Sequence, residues 1–210
     1  MLVRAGNTWL RMAHAALVAG VLTGCSQAAE GDDSKASARP SATAKTPAPD
    51  NTAAGSGGTI GAAGSACELP VAFDTAKGWK AEAVEAPLSQ GPVTLACEID
   101  AKPAGSIGFL RVWAGKPGDA DARTVLKAFV AAEDGVSEEK YSAFTSGGLS
   151  GAKVEYLYAS ELLDETKKES AFAVIAADGP VVVHLGGLDT DEHEEMLPAY
   201  ELARRTLRTT

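Results

Sequence analysis

The chain has 210 residues, 45% hydrophobic and 22% charged, ordinary globular proportions that exclude both a wholly disordered protein and a multi-span membrane protein. Its net charge is −9, and because Arg4 and Arg11 fall in the first 24 residues without any acid, the remainder carries −11. From Cys67 onward 24 acids stand against 14 bases, a balance that excludes nucleic acid as a partner and leaves no basic cluster for anionic lipid head groups.

Residues 1–14 hold Arg4, Arg11 and His14 and no acid; the apolar run from Ala15 to Leu22 follows, then Thr23-Gly24-Cys25. This is the three-part form of a secretory signal peptide. The run is far below the roughly 20 residues of a spanning helix. Leu22-Thr23-Gly24-Cys25 resembles the lipobox of bacterial lipoproteins. The resemblance implies that the Cys25 thiol receives a diacylglyceryl group, that residues 1–24 are removed, and that the protein is held at the extracytoplasmic face of the cell membrane. Two acyl chains anchor stably where one gives only marginal binding, since each buried CH₂ contributes about 0.8 kcal/mol. A plain cleaved signal peptide with an incidental cysteine is the simpler alternative.

Residues 25–66 read as a lipidated N-terminus and a flexible Ala/Gly/Ser/Pro linker, with Pro40, Pro47, Pro49 and Gly-rich sequence from Gly55 to Gly61. The glycines lack the spacing and the lysine of a phosphate loop. Residues 67–210 read as one domain. Its two cysteines, Cys67 and Cys97, fit a disulfide in an oxidising compartment, closing a loop of 31 residues. A free buried Cys97 is the alternative.

Strands are expected at 69–73, 79–85, 93–99, 107–113, 153–159, 171–177 and 181–185. Asp178-Gly179-Pro180 joins the last two as a hairpin. In 107–113, Ile107, Phe109 and Trp113 line one face and Leu110 and Val112 the other, so both sides of that strand need cover. Helical spacing at 120–133 aligns Val125, Leu126, Phe129 and Val130. A second helix aligns Met196, Tyr200, Ala203 and Leu207, acids at its start and arginines at its end, with a kink or a fresh start expected at Pro198.

Strands, a helix, strands ending in a hairpin and a closing helix make an α+β domain, a mainly antiparallel sheet with helices packed on it. With Gly78-Trp79 opening an early strand, the order resembles the Mog1/PsbP/LpqN class, whose lipid-anchored members are envelope proteins. The resemblance implies a non-enzymatic binding or interaction module for a protein or envelope component.

Candidate chemistry is sparse. Asp189 to Glu195 could hold Ca²⁺, but lacks the EF-hand glycine and closing glutamate, and acids at a helix start explain it. His184 and His193 have no zinc-ligand spacing, and no cofactor is expected. A secreted serine hydrolase would need Ser150 and His184 to converge, although Gly148-Leu149-Ser150-Gly151 departs from a nucleophile elbow. A purely structural envelope domain is the other alternative. Trp113 and Tyr156 read as core. Tyr141 and Phe144, flanking a Gly/Ser-rich stretch, are the candidate ligand contacts if they are exposed beside a groove.

Overall fold

The computed structural model describes residues 53–86, 88–160 and 165–210, which lie in the unit Pro47–Thr210. In chain order the strands are β1 (Ser56–Ile60), β2 (Val71–Ala76), β3 (Lys80–Ala83), β4 (Ser89–Gln90), β5 (Val93–Asp100), β6 (Gly108–Ala114), β7 (Val136–Ser146), β8 (Leu149–Ser160), β9 (Glu165–Ala176), β10 (Gly179–Gly187) and β11 (Arg208–Thr209). Helix α1 (Ala122–Val130) lies between β6 and β7, and α2 (Thr190–Arg205) between β10 and β11. The main sheet is antiparallel and ordered β3-β5-β6-β10-β9-β8-β7, with β4 also on β5. A small sheet, β1-β2-β11, accompanies it. The α+β architecture expected from element order is the one observed.

Alternation along the strands sorts side chains between two cores. One face sends Ile99, Leu110, Val112, Phe172, Val174, Val183 and Leu185 against Met196, Tyr200 and Ala203 of α2 and Val71 and Phe73 of β2. The other sends Leu95, Trp113, Val154, Ala173 and Val182 against Val125, Leu126 and Phe129 of α1. Trp113 and Phe129 meet edge to face at 5.4 Å. Burying side chains of this size contributes about 1.5–3 kcal/mol each.

Cover on the α1 side is only partial. Nine residues make a helix about 14 Å long, enough to shelter Trp113 but not the start of β6. Ile107 is 54% exposed, and the half-buried Phe109 lies under the Arg111 guanidinium, 5.0 Å from its ring centre. Of the apolar face expected to be covered, only Trp113 is buried.

Helix α2 is capped by Asp189, whose side chain accepts from the Glu192 N–H at 2.8 Å. It runs unbroken through Pro198, where a kink or restart was expected. An interior proline costs about 3 kcal/mol. Met196 and Ala199–Tyr200 are buried on either side of it, and that packing outweighs the lost hydrogen bond.

Besides the two-residue β4 and β11, two longer strands fall where no strand was expected. β1 lies inside the 25–66 stretch read as linker, and its Ile60 is buried. Glycine is what lets it approach: a Cβ on Gly61, at φ 107°, would stand 2.0 Å from the Val71 carbonyl oxygen. β7 occupies the Gly/Ser-rich region because it is an edge strand, exposed along most of its length and free of core alternation. The disulfide Cys67–Cys97, with Cα atoms 5.9 Å apart, ties the segment before β2 to β5.

Candidate functional site

Two polar features interrupt the apolar faces. On the α1 side, strand register sets Tyr156 of β8 opposite Glu169 of β9, and places His184 of β10 within reach of both. All three are at most 6% exposed. His184 Nε2 lies 2.8 Å from Glu169 Oε2, and the Tyr156 hydroxyl donates to the same oxygen at 3.0 Å. Lys167 Nζ sits 2.9 Å from Glu169 Oε1 and donates to the Gly187 carbonyl at 2.7 Å. Burial pushes the Glu169 carboxyl up, but His184 and Lys167 outweigh it and hold the group down at about 2.

Glu133, after α1, lies 3.2 Å from the same phenol. Burial, then the Glu169 charge, pushes its carboxyl up. A phenol has one proton to give, so Tyr156 serves Glu169 and the second contact is satisfied when Glu133 carries its own proton. Burial likewise drives the Tyr156 phenol well above its usual range. Glu169 is thus held by His184, Lys167 and Tyr156 at once, which fixes these side chains on three neighbouring strands.

The second feature is a cleft of about 450 Å³ on the α2 side, between the first turns of α2 and strands β7–β9. Leu157 and Leu197 give it apolar surface; Glu138, Lys140, Glu155 and the Lys168–Glu194 ion pair, 2.5 Å, give it charge of both signs. The register slip between Ser137 and Lys140 leaves Glu138 at φ 53°, in the left-handed region. Bulges of this kind re-aim side chains, and here Glu138 comes from one, with Lys140 directly after it. His193, 2% exposed, is hydrogen-bonded through Nε2 to the Ser170 hydroxyl at 3.2 Å, while Nδ1 has no partner among the described residues. Burial, the dominant cause, pushes its imidazole down to about 4, so it is neutral at pH 7.

The sequence-level candidates are distributed as follows. Cys25, with the signal peptide, lies outside the described residues. Cys67 and Cys97 are consumed by their disulfide. Tyr141 and Phe144 do not share a groove: three residues apart on β7, they point to opposite faces, Tyr141 packing toward the α1 core and Phe144 toward the α2 core. Tyr141 lies under Arg123 and Lys127, and Phe144 meets Phe172 edge to face at 5.6 Å. Ser150 and His184 do not converge. His184 is level with Val154 across β9, and Ser150 lies four residues further along β8, about 13 Å away along the strand.

Three of the five acids of Asp189–Glu195 have partners: Asp189 caps, Glu192 accepts from the Ile107 N–H at 2.9 Å, and Glu194 pairs with Lys168. Among the described residues no His, Cys, Asp or Glu cluster is arranged to hold a metal. Sequence reasoning missed Glu169 and Glu133. The only available signal was a glutamate and serine directly preceding the apolar run that opens at Ala171, a sign that β9 begins before its apolar part.

No curated protein matches the chain by sequence. Among solved structures it is similar to cyanobacterial PsbP (CyanoP) from Synechocystis sp. PCC 6803, at TM-score 0.50 and 14% identity, covering 73% of this chain and 98% of that one. It also matches LpqN, described as involved in cell envelope biogenesis of Mycobacterium tuberculosis, at TM-score 0.49 and 17% identity, covering 73% and 91%. At such identities the CyanoP likeness shows the fold alone, a PsbP-like α+β domain. Residues 36–207 match the model of a family described as "Uncharacterised lipoprotein", and the chain belongs to that family.

Proposed function

We propose that this protein is a lipid-anchored extracytoplasmic domain that binds a protein or envelope component and performs no covalent chemistry. The observation that carries the reading is the lipoprotein family match, taken with a cysteine at position 25 directly after the basic and apolar segments of a signal peptide. On this reading residues 1–24 are cleaved, diacylglycerol on Cys25 holds the chain at the membrane, and the residues between Cys25 and β1 are the tether. Binding is supported by the cleft beside α2: apolar floor, charges of both signs, and a size within the ordinary range for ligand sites. The non-catalytic part is supported by a His–Glu–Tyr cluster whose members bond one another, and by the separation of Ser150 from His184.

Intact mass spectrometry of detergent-extracted protein tests the anchor; a mass corresponding to unmodified Cys25 refutes it. Cross-linking and pull-down of the native protein against Cys25→Ala tests the module. A partner recovered from the anchored form and lost on release is expected. A fluorophosphonate probe that labels the protein, and fails on Ser150→Ala, would establish a hydrolase instead.

A further inference from the structure

Most charges lining the cleft beside α2 already have partners. Lys168 is bonded to Glu194, Glu155 lies 3.2 Å from Lys153, and the buried Glu169 is held by Lys167 and His184. Glu138 and Lys140 line the same cleft, and neither has an ion pair or a side-chain hydrogen bond with a described residue. One acid and one base, both exposed, are therefore left unmatched by the fold and by each other.

The β7 bulge puts them there. Ser137 is opposite Leu157 and Lys140 opposite Glu155, so regular pairing would leave a single residue between them, facing the α1 side as Tyr156 does. The inserted residue gives the cleft a second charge from β7. It also leaves Glu138 at φ 53°, the one positive φ among the described non-glycine residues. Backbone strain of this kind persists only where the surroundings over-determine it, and it collects at binding and active sites. The rest of the lining carries no net demand for an ion: Leu157 and Leu197 are apolar, and Ser170 and His193 are neutral hydrogen-bonding groups.

We propose that the cleft binds a short peptide with free termini and an apolar side chain, Glu138 meeting the ammonium, Lys140 the carboxylate, and Leu157 with Leu197 the side chain. Charge complementarity decides the class. A simple anion or cation would answer one of the two unmatched charges and be repelled by the other, whereas a zwitterion answers both. The size agrees: about 450 Å³ is that of a small-molecule site, and two leucines make a floor for a side chain, too little for acyl chains. The proposal rests on the binding-module reading and names the ligand class of this cleft.

The test is calorimetric titration of the full lipid-anchored chain, in a non-ionic detergent, with leucyl-leucine, its N-acetyl derivative, which lacks the ammonium, and its C-terminal amide, which lacks the carboxylate. Saturable binding of the free dipeptide is expected, weakened about tenfold by either block through loss of one charge-assisted contact. Variants and blocks should pair. Lys140→Met should weaken the free dipeptide about tenfold and leave the amide unchanged, and Glu138→Gln should weaken it likewise and leave the N-acetyl form unchanged. Equal binding of all three peptides, or variants that weaken all three alike, overturns the two-charge site. No saturation by leucyl-leucine into the millimolar range overturns the peptide class, and binding of dihexanoyl phosphatidylethanolamine in its place gives the cleft to a lipid head group. A partner recovered by pull-down without dipeptide binding overturns the peptide alone and leaves the binding reading standing; with neither, both fall.

Discussion

Acidification should destabilise this domain through one buried imidazole. His193 is 2% exposed, bonds Ser170 through its side chain, and is held at about 4 against an ordinary 6.5. In the unfolded chain it takes a proton as pH falls through 6.5; in the folded chain it does not until about 4. Across that window the unfolded state binds more protons, so stability is full above pH 6.5 and declines toward pH 4. One proton over about 2.5 pH units corresponds to about 3 kcal/mol, or about 6–12 °C in melting midpoint for a domain of this size. Glu169, depressed to about 2, costs stability only as pH falls below the ordinary carboxylate range. Glu133, raised, acts in the opposite sense and partly offsets His193 at the acidic end. Urea unfolding at pH 7.5, 6.5, 5.5 and 4.5 measures the slope, and His193→Gln, which keeps a hydrogen-bonding group beside Ser170, should flatten it. Equal slopes for wild type and variant between pH 6.5 and 4.5 would refute the assignment.

Glu169→Ala should cost about 3–5 kcal/mol in denaturant unfolding, because it removes the buried carboxylate that Lys167, His184 and the Tyr156 phenol share; a loss below 1 kcal/mol would mean the cluster is not structural. Replacing Cys67 and Cys97 together by serine should cost about 3.5 kcal/mol, the chain-entropy value for a 31-residue loop, seen as a lower urea midpoint. Pro198→Ala should raise the melting temperature, since it restores a helical N–H inside α2; a fall would show that the proline ring packs usefully. A chain starting at Ser65 should be at least about 2 kcal/mol less stable than one starting at Ala53, having lost β1 and the burial of Ile60; equal midpoints would return β1 to the linker.

The α+β class, both helices and the terminal hairpin are legible in the chain because each rests on local periodicity or turn chemistry: Val125, Leu126 and Phe129 at helical spacing, Met196, Tyr200 and Ala203 likewise, Asp178-Gly179 at the turn. Elements whose stability comes from neighbours are not legible. β1 is a glycine-rich run that becomes a strand only because β2 is there to receive it. β7 carries no apolar alternation because an edge strand buries little. Pro198 reads as a break, and packing beneath α2 overrides it.

The polar sites divide in the same way. Position in the chain marks Cys25, Cys67 and Cys97, since a cysteine's chemistry follows from its compartment and count. Glu169, Tyr156 and His184 lie on three strands, and only the register of an antiparallel sheet brings them within 3.2 Å of one another, while Glu133, in the loop after α1, reaches the Tyr156 phenol. Tyr141 and Phe144 stand out in the sequence as aromatics beside a loop. That they face opposite ways from an open sheet edge is decided by the two-residue period of a strand that the sequence does not reveal.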